Sequence, residues 1–296
     1  MSVPAAYLTI ILIWSTTPLA IQWSTEGNGF LFAVLARMTV GVVLCLLLLK
    51  IFRVALPMHR EARRTYVAAG LGIYGAMLCV YWGARYVPSG LIAVLFGLSP
   101  IVTGIAAALW LGERAFTPGK LAGMLLGAAG LALIFGSRLA LHEHAWAGIA
   151  AVLLAVVLQA VSLVWVKRIG GSMPALAVTG GALLLAVPLY AVTWALADGV
   201  PPATLPARAG WAILYLGVFG SVLGFNLYYY VVKHMQAGQI ALITLVTPVS
   251  ALLLGHFLNG ESIQPLVWLG AASICCGLVL HQWDTLAAAA YPRKAE

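Results

Sequence analysis

Continuous apolar runs are the feature that most constrains how this 296-residue chain can fold. Many of them reach about 20 residues, the length that an α-helix needs to cross the hydrocarbon core of a bilayer. Charged residues make up only 8% of the chain, whereas soluble domains carry about 25%. The runs do not alternate in short segments, so they predict helices and not a β-barrel. The sequence therefore predicts an all-α integral membrane protein.

Ten runs have the length of a membrane span, and the charges between them predict an orientation. The predicted helices cover residues 4–23, 30–49, 65–86, 88–111, 117–136, 146–166, 174–196, 209–232, 237–258 and 265–283. With the N-terminus inside, twelve of the sixteen Lys and Arg residues lie on the inner side and three on the outer side. Membrane proteins place their basic loops in the cytoplasm. We therefore expect a multi-pass protein of the plasma membrane (a bacterial inner membrane) with both termini cytoplasmic.

The placement of the basic residues also bears on partners. They lie in short loops between apolar runs, which is typical of topology signals and not of a nucleic-acid surface. The expected partners are thus membrane lipids and a small-molecule substrate, and no nucleic acid. We expect a monomer, with a homodimer as the alternative.

The two halves of the chain resemble each other at an offset of half its length. At that offset Gly90 aligns with Gly238, Pro100 with Pro248, Gly112 with Gly260 and Glu113 with Glu261. Each half holds five predicted spans, an odd number, so the halves must cross the membrane in opposite directions. Inverted repeats of this kind are typical of secondary transporters. The sequence predicts two inverted five-helix repeats, residues 1–140 and 141–296, which together form one transport domain.

Several motifs also resemble one family. They are "LIWSTTPLAIQW" at 12–23, "LARMTVG" at 35–41, the series from "GLSPI" to "LGER" that ends at Arg114, and its echo from "LVTPV" to "NGES". In order and spacing they resemble the EamA branch of the drug/metabolite transporter superfamily, over nearly the whole chain. The resemblance implies ten helices in two inverted five-helix repeats, a central cavity, and export or exchange of small metabolites.

Polar and aromatic side chains deep in the spans are the candidates for a substrate-binding cavity. These cavity candidates are Trp14, Thr17, Tyr74, Tyr81, Phe96, Ser99, Gln159, Asn226, Thr244 and Thr247. Local alignment of the first and sixth spans places Gln159 opposite Trp14, which would make the two cavity walls chemically unequal. The alternative is that the hydroxyls bond within their own helices and the aromatic rings anchor the protein at the membrane interface.

Prolines and charges within or beside the spans form a second group of candidates. Pro100 and Pro248 each remove a helical hydrogen bond, so we expect both helices to bend beside the cavity, with simple packing kinks as the alternative. Arg37 lies within a span, where it would contact substrate or serve folding and topology. Glu113 and Glu261 follow glycines at span ends, where they would cap the next helix or form parts of two gates.

The residues that are missing narrow the function. No Asp or Glu lies within a predicted span, and the chain holds no metal-ligand spacing, nucleotide motif or catalytic arrangement. We therefore expect no catalytic residue, no metal and no cofactor. The sequence predicts a secondary transporter that exports or exchanges small neutral or zwitterionic organic metabolites, amino acids or related amphipathic compounds foremost, by alternating access. The alternatives are proton-coupled drug or metabolite efflux, a non-transporting membrane scaffold, or a lipid-modifying enzyme.

Overall fold

A computed structural model describes residues 2–27, 29–112, 117–136, 144–169, 173–197, 199–235 and 237–283 of the chain. In order along the chain, the helices are α1 (Val3–Ser24), α2 (Phe30–Ile51), α3 (Arg60–Gly83), α4 (Ser89–Phe96), α5 (Ser99–Leu111), α6 (Pro118–Gly136), α7 (Ala145–Ile169), α8 (Ala175–Ala197), α9 (Ala207–Tyr215), a π-helical segment π1 (Leu216–Leu223), α10 (Gly224–His234), α11 (Ala237–Asn259) and α12 (Pro265–His281). Within these ranges the chain forms helices, turns and loops without a strand. The predicted all-α class is confirmed.

The helices have the length and the surface of a multi-pass membrane protein. In the described part of the chain, six helical stretches are long and apolar enough to cross a membrane, and four shorter apolar stretches accompany them. Large apolar side chains such as Leu8, Leu125 and Leu196 point outward and are more than 60% exposed. A soluble protein rarely exposes so many apolar side chains, whereas lipid is their natural solvent.

Two of the predicted spans are not single α-helices. The fourth is divided at Gly97 and Leu98 into α4 and α5, and Pro100 lies in the first turn of α5. A proline is tolerated in that turn because its missing N–H would have no helical partner there. The eighth span is divided into α9, π1 and α10. The chain therefore folds into more helical segments than the ten that the apolar runs predict.

The two prolines expected to bend their helices have different local structures. Pro100 follows a break between two helices, whereas Pro248 lies inside the continuous helix α11. The two sites are neighbours in space, because a Cβ built on Gly97 would lie 3.5 Å from Cγ of Pro248. The break in the first half thus packs against the proline of the second half.

Equivalent helices of the two halves end in the same way. Gly112 caps the C-terminus of α5 with a φ of 67°, and Gly260 follows α11 with a φ of 63°. Glycine adopts this left-handed conformation without the steric cost that a Cβ would add. The pair Gly112 and Gly260, which the half-length offset aligns, therefore has the same backbone function.

Most helix contacts join a helix of the first half of the chain to a helix of the second half. Helix α1 packs against α11 and against α9 and α10, while α7 packs against α4 and α5 and against α3. In the same manner α2 contacts π1 and α9, while α8 contacts α3. Three further contacts join helices that the predicted repeat would make equivalent, namely α2 with α8, α4 with α11 and α6 with α12.

The interface between α6 and α12 rests on four glycines. A Cβ added at Gly123 would meet the carbonyl oxygen of Gly277, and a Cβ at Gly277 would lie 2.6 Å from the carbonyl oxygen of Gly123. Gly130 and Gly270 meet in the same reciprocal manner. The two helices run antiparallel, since the first pair joins the start of α6 to the end of α12. Small residues of this kind allow close approach of helices in lipid.

Candidate functional site

A buried cation lies between α2, α3 and π1. Arg37 is only 4% exposed, and its Nε donates to Oγ of Ser221 at 3.2 Å. Its guanidinium carbon lies 6.0 Å from the ring centroid of Tyr81, which is fully buried. Thr17 of α1 lies near the guanidinium. A Cβ built on Gly220 would lie 3.3 Å from Nη2 of Arg37 and 3.7 Å from Oγ1 of Thr17. We call Thr17, Arg37, Tyr81 and Ser221 the arginine cluster.

Two donors of the arginine cluster are buried without a hydrogen-bond partner among the described residues. They are Nη1 of Arg37 and the hydroxyl of Tyr81. The other hydroxyls of the cluster are occupied by carbonyls of their own helices: Thr17 donates to Ile13 at 2.6 Å and Ser221 donates to Leu216 at 3.0 Å. More than nine in ten buried polar groups in proteins are paired, so two adjacent unpaired donors are unusual.

Two tyrosines, one on α3 and one on α8, pack together beside the arginine cluster. The rings of Tyr74 and Tyr190 are 5.0 Å apart between centroids. The hydroxyl of Tyr190 donates to the carbonyl of Ile73 at 2.8 Å, and the hydroxyls of Tyr74 and Thr193 share a hydrogen bond of 2.6 Å. Since the Thr193 hydroxyl also donates to the carbonyl of Leu189 at 2.9 Å, Tyr74 is the donor in that pair. These contacts fix α3 to α8 beside the arginine cluster.

A second polar group joins the ends of three helices, α1, α4 and α11. The carboxylate of Glu261 accepts from the backbone N–H groups of Ser89 at 3.0 Å and Gly90 at 3.3 Å, at the start of α4. Nδ2 of Asn259 donates to Glu261 and to Gln22 of α1, both at 3.1 Å. We call Gln22, Ser89, Asn259 and Glu261 the helix-end network.

Glu261 was expected to cap the helix that follows it, or to belong to a gate. In the structure its carboxylate caps α4 of the other half and not α12. An anion is favourable at a helix N-terminus because the unpaired N–H groups there carry partial positive charge. Its counterpart Glu113 lies outside the described residues.

The other cavity candidates are scattered over the bundle. Trp14 packs with the ends of α1, α10 and α11, and Asn226 donates to the carbonyl of Val222 of its own helix at 2.9 Å. Gln159 is exposed on the surface of α7, and Thr244 accepts from Gln282 at 3.2 Å. Phe96 packs against the main core, while Ser99 and Thr247 are half-buried and Pro248 is buried. The structure therefore groups Thr17 and Tyr81 with Arg37 and places Gln159 away from them.

Six residues of these groups were not among the predicted site residues, namely Gln22, Ser89, Tyr190, Thr193, Ser221 and Asn259. Ser221 and Tyr190 lie in apolar helices where a single hydroxyl carries no distinctive spacing. Asn259 had a signal, because it lies at the predicted outer end of the ninth span, as Gln22 does at that of the first. Polar residues at matching ends of different spans are candidates for one network.

The described residues hold no group of three or more His, Cys, Asp or Glu side chains suited to a metal ion. Their polar chemistry consists of a buried guanidinium, hydroxyls and amides, within a bundle of apolar helices. Such a polar interior, in helices whose outer faces are apolar, is characteristic of the helical membrane proteins that move solutes. This defines the class of the protein.

Comparison with known families identifies it further. The model of the EamA-like transporter family matches residues 3–136 and 146–281, so the chain belongs to that family. The resemblance to the EamA branch is thereby confirmed. Three of the relatives that match are named as transporters or exporters.

Three relatives and one solved structure match over almost the whole chain. The transporter YoaV of Bacillus subtilis is 26% identical, with 93% of this chain and 94% of YoaV covered. A protein of Streptantibioticus cattleyicolor named "Probable terminal-alkyne amino-acid exporter" is 28% identical over 95% and 93% of the two chains. The inner membrane transporter YedA of Escherichia coli is 25% identical over 93% and 89%. One crystal structure, 22% identical, has the same fold with a TM-score of 0.65 and covers 96% of this chain and 97% of that chain.

Proposed function

We propose that the protein is a secondary transporter that exports or exchanges small zwitterionic or neutral metabolites, amino acids foremost, by alternating access. In this proposal ten spans cross the membrane as two inverted five-helix repeats, residues 1–140 and 141–296, with both termini in the cytoplasm. The helix-end network then lies at the outer face and the start of α1 at the inner face.

The observation that carries the proposal is the reciprocal packing of the two halves. An operation that exchanges α1 with α7, α3 with α9 and α10, and α6 with α12 relates the contacts of α1 with α9 and α10 to that of α7 with α3, and the contact of α1 with α11 to those of α7 with α4 and α5. The same operation relates the glycine contacts between α6 and α12. It places Gly123 on Gly270 and Gly277 on Gly130, so one contact pair is converted into the other. Inverted repeats of this kind allow the two faces of a carrier to open in turn. The two separate matches of the family model support the same division.

The arrangement of the helix ends supports alternating access. At the proposed outer face the carboxylate of Glu261 ties α11 to α4, and Asn259 ties α11 to α1. At the proposed inner face Ile10 of α1 is buried against Val231 and Ile243 of α10 and α11. A transporter must be able to separate such contacts at one face while it keeps those at the other. A few hydrogen bonds and one small apolar cluster meet this requirement.

The substrate class is supported by one relative and by the acidic residues of the chain. The relative from Streptantibioticus cattleyicolor carries amino-acid export in its name. All eight Asp and Glu residues of this chain lie outside the predicted spans, so no carboxylate is available at depth to exchange protons or to bind Na⁺. Exchange or facilitated export of a molecule without net charge needs neither.

The test is a flux assay with the full-length protein in liposomes. Uptake of radiolabelled leucine, phenylalanine, methionine and threonine is measured with and without a pH gradient, against liposomes that lack protein. We expect uptake of at least one amino acid that exceeds the control and is unchanged by the gradient. Uptake that occurs only with a pH gradient would mean that the mechanism is proton-coupled efflux and not exchange. If none of the four amino acids is taken up, the proposed substrate class is rejected.

A further inference from the structure

Arg37 carries a positive charge into the interior, and no anion among the described residues balances it. Within the same part of the chain its one side-chain acceptor is the neutral hydroxyl of Ser221, and Nη1 has none. Among the described helices the one acidic residue is Glu61 in the first turn of α3, at the opposite end of that helix from Tyr81. A buried charge is strongly unfavourable unless an opposite charge and hydrogen bonds compensate it. Within the described part of the chain, the positive charge of Arg37 is therefore not balanced.

Tyr81 adds a second donor that points to the same missing group. Its side chain is fully buried and its hydroxyl has no acceptor. Its ring lies beside the guanidinium, at 6.0 Å between the Arg37 carbon and the ring centroid. Two neighbouring donors, one of them cationic, match an anion that has two acceptor oxygens.

The wall of the site opposite Arg37 is built from small residues in an irregular helix. Segment π1 includes Gly220 and Ser221, and a Cβ on Gly220 would already lie 3.3 Å from Nη2 of Arg37. A larger residue at this position would therefore crowd the guanidinium. Short π-helical segments frequently occur at functional sites in α-helices. Here the segment presents a glycine and a hydroxyl to the cation.

We propose that Arg37 and Tyr81 bind the carboxylate of the transported molecule, an inference that rests on the proposed function. The planar guanidinium holds a carboxylate by parallel N–H···O bonds, and the Tyr81 hydroxyl donates to one of its oxygens. A single cation balances the single charge of a carboxylate, whereas a phosphate monoester would bring about 1.5 to 2 negative charges into the bundle. In the present closed arrangement the donors are covered, so the carboxylate enters when the helices around π1 separate.

The decisive variant is Tyr81→Phe, because it removes a hydroxyl that bonds to none of the described residues. A purely structural Tyr81 predicts unchanged transport and equal or higher thermal stability. A carboxylate-binding Tyr81 predicts that KM rises about tenfold, since a hydrogen bond to a charged group is lost, while stability is kept. The matched control is Tyr190→Phe, which removes a buried hydroxyl that donates to Ile73, and which should lower stability without changing KM.

Charge is tested in the same assay. Arg37→Lys keeps the charge but loses the two-pronged geometry, so we expect a KM at least tenfold higher. Arg85→Gln is the control, because Arg85 is exposed and its guanidinium lies over the rings of Phe30 and Tyr86. For each amino acid that the wild type transports, its amide and its decarboxylated amine are tested as competitors. We expect neither to inhibit uptake of that amino acid by the wild type at tenfold excess.

A binding assay separates failure of this inference from failure of the proposed function. The thermal midpoint of purified protein in detergent is measured with phenylacetate and with phenylacetamide, which differ only in the carboxylate. Stabilisation of the wild type by phenylacetate alone, absent in Tyr81→Phe, supports the site even when no amino acid is transported. Equal midpoints with both compounds in the wild type, or amino-acid transport by Tyr81→Phe with unchanged KM, would overturn it.

Discussion

Glu261 links the two halves of the chain through a single carboxylate. Its two oxygens accept from consecutive N–H groups at the start of α4, and one of them also accepts from Asn259. Such charge-assisted bonds are about twice as strong as neutral ones. A helix N-terminus in an apolar bundle has few other acceptors, so this side chain satisfies donors that the first half leaves unpaired.

Glu261→Gln is therefore expected to loosen α4 from α11. The amide keeps one acceptor oxygen but turns an NH₂ group toward a backbone N–H, so one bond is lost and the favourable charge disappears. We expect the free energy of unfolding in detergent to fall by about 1–2 kcal/mol, as for other charges at helix ends. Chemical denaturation followed by tryptophan fluorescence measures this change.

Glu26→Gln is the control for this substitution. Glu26 forms an exposed ion pair with Arg208 at 3.4 Å, at the same end of the bundle. Exposed pairs contribute about 0–1 kcal/mol. Equal losses for the two variants would mean that the Glu261 carboxylate contributes no more than a surface charge.

At the scale of helices, the apolar runs were sufficient to predict where helices lie. The second span was predicted to end at residue 49, and α2 ends at Ile51, whereas the third was predicted from residue 65 and α3 begins earlier, at Arg60. The same runs gave no sign of π1, because the π-helical stretch is as apolar as the α-helices around it. They also could not distinguish Pro100 from Pro248, since a break depends on what packs beside the proline.

The sequence also could not predict which side chains of different helices contact each other. Arg37 was recognisable as an unusual charge, but its neighbour Ser221 is 184 residues away and carries no local signal. The capping role of Glu261 was recognisable, but its target was not, because the nearest helix in sequence is not the nearest in space. Glycine patterns show that helices approach closely without showing which helices they are.

Close packing of α6 and α12 makes a prediction for Gly123→Ala. The new Cβ would meet the carbonyl oxygen of Gly277 and the backbone nitrogen of His281, neither of which can move aside without moving α12. We expect a loss of stability of about 1–3 kcal/mol from overpacking, despite the better helix propensity of alanine. The thermal midpoint in detergent micelles measures the loss.

Gly104→Ala provides the matched control. A Cβ at Gly104 would lie 3.4 Å from Nε2 of His281, an ordinary contact with the movable end of a side chain. Alanine there should leave stability unchanged or raise it by about 0.5–1 kcal/mol. If both glycines tolerate alanine equally, α6 and α12 are not held at the close approach that the four glycines indicate.

For the whole molecule, the contact of α4 with α11 joins the two proposed repeats at the helix-end network. A Cβ on Gly90 would lie 2.6 Å from Cα of Leu252, so the two backbones nearly touch. Alternating access requires this contact to open when the outer face opens. A covalent link between α4 and α11 would prevent that opening and leave the opposite face free.

Ser89 and Gly255 offer the place for such a link. Oγ of Ser89 lies 2.9 Å from a Cβ built on Gly255, which suits a disulfide once the Glu261 side chain rotates away. In a background without the four native cysteines, oxidised Ser89→Cys/Gly255→Cys should lose at least nine-tenths of its amino-acid flux and regain it on reduction. Each single substitution under the same oxidant is the control. Full flux through the cross-linked protein would mean that α4 and α11 stay together throughout transport, and the outer gate would have to lie elsewhere.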